Sequence, residues 1–132
     1  MPSVFTRIIQ KELPAYIIAE NESCIAFLDI SPLQRGHTLV VPKREVDKLF
    51  DLPEKDYHAL LSFARKIALA IGNSVECNRV GMTVIGLEVP HAHIHLIPIQ
   101  RESDMNFASP KLHLGKAEFE LIAEEIRMHL TT

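Results

Sequence analysis

His91-Ala92-His93-Ile94-His95-Leu96-Ile97-Pro98-Ile99 sets three histidines at every second position, with Ala92, Ile94 and Leu96 between them. Period two is the mark of a strand whose faces differ. The alternation predicts a strand over residues 91–99. Its apolar set turns into a core, and its three imidazoles share the other face, roughly 6.5–7 Å apart at successive positions. The chain has seven histidines, so three on one face is a concentration that needs a reason.

Three reasons are open at this point. A histidine in a strand is often just solvated, or satisfied within a core. Imidazole is also the commonest zinc ligand. Neighbouring same-face positions of one strand, however, do not readily place three nitrogens around one ion, and a further ligand from elsewhere is usual. The third reading is phosphoryl chemistry. Neutral imidazole is a good nucleophile because its ordinary pKa lies near 6.5. One ring can attack while its neighbour steadies the developing charge.

Outward from this strand, the chain alternates strand and helix signals. Tyr16–Ala19 and Cys24–Asp29 read as strands joined by the polar turn Glu20-Asn21-Glu22, a hairpin. Ser31-Pro32 breaks the run. His37–Val41 is β-branched and continuous, the pattern of a buried strand, and Pro42 ends it. From Asp51 the period lengthens: Tyr57, Leu60, Leu61, Ala64, Ile67, Ala68, Ile71 and Val75 recur at helical spacing. Asp51 and Glu54 have the spacing of a capping box. Arg79–Ile85 reads as a strand, and residues 101–114 as a loop. Phe119, Ile122, Ala123, Ile126 and Leu130 mark a second amphipathic helix. Most joints between strands are too short for parallel crossovers. The expected fold is therefore α+β, an antiparallel sheet of about five strands with two main helices, in one domain over residues 1–132.

With 132 residues and 47% hydrophobic content, a substantial core can form. A net charge of -3 argues against a protein that coats nucleic acid. No apolar run is long enough to cross a bilayer. Cys24 and Cys77 lie in or beside apolar segments and read as buried free thiols, which fits a soluble protein of a reducing, intracellular compartment.

Residues 91–97 read His-Ala-His-Ile-His-Leu-Ile, and this resembles the pattern of the histidine triad (HIT) family, His-φ-His-φ-His-φ-φ. Upstream, Phe27-Leu28-Asp29-Ile30-Ser31-Pro32 and Gly36-His37-Thr38-Leu39-Val40-Val41-Pro42-Lys43 resemble the family's Hint branch. The resemblance covers about the first hundred residues and implies a purine nucleotide substrate, cleavage at the α-phosphorus, a homodimer that joins two sheets, and no cofactor. By position it implies His93 as nucleophile, His95 on the phosphate and helping the leaving group, His91 holding the arrangement together and His37 as a supporting imidazole. It further implies Asp29 on the ribose hydroxyls, and Phe5, Ile8, Phe27 and Ile30 around the base. Phosphoramidate hydrolysis leads; dinucleoside polyphosphate hydrolysis, a weakly active nucleotide-binding scaffold and a metal-dependent hydrolase are the alternatives. Two departures stand out. Where the branch often has Gln-Ser or Gln-Thr before the triad, this chain has Leu87-Glu88. Where some bacterial members have Cys-x-x-Cys that helps bind zinc, it has Ser3 and Thr6.

Overall fold

A computed structural model describes residues 2–131. Five strands form one sheet: β1 (Ile17–Glu20), β2 (Cys24–Leu28), β3 (Thr38–Pro42), β4 (Arg79–Thr83) and β5 (Ile94–Ile99). Their order is β1-β2-β3-β5-β4, and every pairing is antiparallel. The helices are α1 (Val4–Ile9), α2 (Glu54–Ser74) and α3 (Lys116–Met128). The α+β expectation holds, with one short helix added at the N-terminus.

Period two in the sequence sorts the core into two layers. Cys24, Ala26 and Leu28 of β2, Val40 of β3, and Ile94 and Leu96 of β5 point to one face. There they meet Leu60, Phe63, Ala64, Ile67 and Ile71 of α2, and Phe119, Ile122 and Ile126 of α3. Full burial of each Val, Leu, Ile or Phe among them contributes roughly 1.5–3 kcal/mol. The alternate residues Ile25, Phe27, Leu39 and Val41 face the other way, against Phe5 and Ile8 of α1. The sheet is thus covered fully on one side. On the other, α1 covers only part of it and leaves room for a cleft.

Several boundaries differ from the sequence reading. The last strand begins at Ile94, not His91, and β4 stops at Thr83 rather than Ile85. β3 runs one residue later than expected. Asp51 does not cap α2: it ends a 3-10 turn over Leu49–Asp51, and Pro53 holds the N-cap without a side-chain hydrogen bond. Proline fits there because the first N–H of a helix has no partner to lose. Cys24 is buried and Cys77 only half-buried; both are free thiols.

Candidate active site

The half-covered face of the sheet carries a cleft of about 460 Å³. His37, His93 and His95 line it, with Asp29, Phe5, Ile8, Phe27 and Ile30. That volume suits a small organic ligand. Of the nine site residues expected from sequence, eight converge here. The exception is His91, which is fully buried and does not line the cleft.

Each imidazole is held so that its tautomer can be deduced, because an amide N–H can only donate and a carbonyl can only accept. Gly36 has φ of +93°, and a Cβ there would come within 2.9 Å of Val75 Cγ2, so only glycine turns the chain into β3 here. The turn brings the Leu33 N–H onto His37 Nδ1 at 3.0 Å. The His37 proton is therefore on Nε2, which donates to His95 Nδ1 at 3.0 Å. His95 in turn must carry its own proton on Nε2. His93 Nδ1–H donates to the carbonyl of His91 at 2.8 Å, which leaves the His93 Nε2 lone pair free. The rings of His93 and His95 lie 5.0 Å apart, edge to face. An unprotonated nitrogen and an N–H donor so stand side by side.

Burial keeps the supporting rings neutral. It depresses His37 to about 3, helped by the neighbouring His95 and by Lys111. It depresses His95 to about 4, with His93 adding to the effect. Burial also lifts the Asp29 carboxyl above the usual carboxylate range, against the pull of the Ser31 amide. Asp29 Oδ1 accepts from that amide at 2.8 Å, and Oδ2 lies 3.5 Å from His37 Nε2. A carboxylate has about four acceptor sites, so this leaves some for a ligand.

The expected row of three imidazoles on one strand is not what forms. His91 and His93 precede β5 in an irregular segment, where the His91 N–H donates to Val89 C=O. The chain is not pleated there, so period two fails. The His91 ring turns away from the cleft, donating from Nε2 to Pro42 C=O at 2.7 Å and accepting on Nδ1 from Ser3 Oγ at 2.7 Å. It braces the segment that holds His93.

Phe107 and Lys111 are among the lining residues that escaped the sequence reading. Phe107 packs edge-on against His95, ring centroids 4.8 Å apart, and Lys111 is the single Lys or Arg lining the cleft among the described residues. Both come from the segment 101–115. Leu112 N–H donates to Pro32 C=O and pins that segment across the site. The Lys111 ammonium donates to the carbonyls of Phe107 and Ser109, which leaves its third hydrogen. Glu88 and the exposed Leu87 form the outer rim.

Asp29, His37 and His95 place ligand-type atoms within 4.8 Å of one another. The donor set nonetheless opposes a metal ion. His37 Nε2 carries a proton, and His95 Nδ1 accepts it. A cation would have to move the His37 proton onto Nδ1, directly against the Leu33 N–H.

A family model described as HIT domain matches residues 10–102. A HIT-like protein of Borreliella burgdorferi is 33% identical, over 96% of this chain and 97% of its own length. The adenosine 5′-monophosphoramidase of Schizosaccharomyces pombe is 30% identical over 96% of each chain. A Hit-like protein involved in cell-cycle regulation from Bartonella henselae has a crystal structure that superposes with a TM-score of 0.86 at 26% identity, covering 97% of this chain and 96% of that one. The chain belongs to the histidine triad (HIT) family.

Proposed function

We propose that this protein is a nucleotide hydrolase or transferase acting at the α-phosphorus of purine nucleoside 5′-phosphate derivatives, phosphoramidates foremost, through a nucleotidyl group on His93. The carrying observation is the free Nε2 lone pair of His93 beside the Nε2–H of His95. Family membership and the similarity to an adenosine 5′-monophosphoramidase support hydrolysis of nucleotides in general.

In this reading His93 Nε2 attacks phosphorus as the bond to the departing amine breaks. The amine keeps the bonding pair and takes a proton from solvent. His93 then carries the phosphorus on Nε2, and its Nδ1–H stays on the His91 carbonyl, which steadies the positive ring. His95, held neutral, donates a hydrogen bond to phosphate oxygen rather than giving up its proton. Water next attacks phosphorus and gives up a proton to solvent, the P–Nε2 bond breaks, and its electron pair returns to His93. Asp29 accepts from the ribose hydroxyls, and Phe5, Ile8, Phe27 and Ile30 contact the base. Lys111 favours anionic leaving groups and so supports dinucleoside polyphosphates as a second substrate class.

A quenched reaction should yield protein heavier by one nucleotidyl group, seen by intact-mass spectrometry, with turnover that survives a chelator. Turnover without that adduct, or activity lost with chelator, would reject the scheme. Asp29→Asn keeps an oxygen for the Ser31 amide but removes the charge. It should weaken nucleoside monophosphate binding about tenfold, within the range for a charged hydrogen bond. The variant should bind a 2′,3′-dideoxynucleotide as well as the ribonucleotide; a retained preference for the ribose form would remove Asp29 from this role.

The homodimer forms through the free edge of β4, where Met82 is 58% exposed and Val84 and Ile85 follow it at the surface. No helix among the described residues is long and apolar enough to cross a membrane. The two free thiols suit a reducing, intracellular setting.

A further inference from the structure

Glu45 lies outside the cleft, is exposed, and has no part in the chemistry described above. Its Oε1 nonetheless accepts two hydrogen bonds from the N-terminal segment, from Ser3 N–H at 2.7 Å and from Thr6 Oγ1 at 2.5 Å. These partners hold its carboxyl below the usual range, so it is ionised at neutral pH. The bonds continue inward. Ser3 Oγ accepts from Thr6 N–H at 3.0 Å. Its single proton goes to His91 Nδ1, since His91 Nε2–H is committed to Pro42. The His91 carbonyl then fixes His93 Nδ1–H. The next residue, Val46, accepts from Ala92 N–H at 2.7 Å, so the 45–46 segment grips the histidine segment by main chain as well. Anchoring Ser3 also seats α1. Its Phe5 ring packs edge-on against both His91 and His93, at 5.8 and 4.9 Å.

We propose that Glu45 is a positioning residue for His93, acting through Ser3, Thr6 and His91 to fix the tautomer and aim of the attacking ring. This rests on His93 being the attacking group. Ser3 is buried, and one surface carboxylate closes the whole chain of bonds, every proton of which has a single consistent place.

Glu45→Ala should lower kcat about tenfold with KM changed by less than about twofold, the pattern of a misaligned nucleophile in an intact binding site. Glu45→Gln should recover most of the loss, because its amide oxygen can accept the same bonds. Ser3→Ala should resemble Glu45→Ala, and the double variant should fall short of the product of the two effects. A folded Glu45→Ala protein with undiminished kcat overturns the proposal, as do equal losses in the Ala and Gln variants. The imidazole 15N–1H spectrum separates this from the chemistry. The His93 Nδ1–H signal should weaken in Glu45→Ala and persist in Glu45→Gln, whether or not His93 proves to be the attacking group. A signal unchanged in Glu45→Ala overturns the positioning role alone.

Discussion

His93→Asn should turn over nucleoside phosphoramidate at least about a thousandfold more slowly than the natural protein, as expected when a nucleophile is removed. No neighbour can take over. His95 presents an N–H to the cleft, and its lone pair already accepts from His37. His91 is sealed beneath the site with both ring nitrogens engaged. Asparagine is more informative than alanine here. Its side-chain amide can occupy the place of Nδ1–H and still donate to the His91 carbonyl. Alanine would leave that buried carbonyl unpaired at a cost of about 1–3 kcal/mol, mixing lost stability with lost chemistry. His93→Asn should therefore keep its melting temperature and its nucleotide affinity and form no covalent adduct. Single-turnover assays with intact-mass detection would check this. An adduct or near-normal turnover in that variant would show that another group attacks phosphorus.

The second large effect is on stability. The folded protein holds His37 near 3 and His95 near 4, against an ordinary value of 6.5. Unfolding returns both rings to water and to that ordinary value. Below about pH 6.5 the unfolded chain thus binds more protons than the folded one, and stability falls as pH falls. Each ring contributes about 1.4 kcal/mol per pH unit across that window, so at pH 5 the two together withdraw about 4 kcal/mol. That is a large share of the roughly 5–15 kcal/mol that a domain has to lose. Asp29 works the other way. Its raised carboxyl takes up a proton more readily when folded, but it is one group against His37, His95 and His91, which burial also lowers. Urea unfolding at pH 7.5, 6 and 5 should show a steady loss, and His37→Gln should make the slope shallower. Constant stability from pH 7.5 to 5 would mean that these rings are not buried as neutral groups.

The sequence carried the sheet well because side-chain alternation is a local property. Cys24, Ala26 and Leu28 separate from Ile25 and Phe27 by position alone, and the fold uses that separation. The same rule misled at His91, where it was extended beyond the point at which the chain is pleated. Asp29, Phe27 and His37 were legible through the flanking residues that resemble the Hint branch. Phe107 and Lys111 were not, since the segment 101–115 has no period and reaches the site only by the long path through Pro32. Helix α1 has six residues, too few for a periodic stripe, and the sequence reading passed over it; in the structure Ser3 caps it by accepting from Thr6 N–H.

The orientation of protons in the His37–His95 pair begins at the Leu33 amide, a group that no side chain encodes. Any residue but proline at position 33 keeps that N–H and so that polarity, provided the bend at Gly36 is kept. An intact set of histidines can conversely lose its chemistry if the bend is rebuilt. Loop shape between residues 33 and 37 therefore decides where these protons sit, which counting histidines would never register.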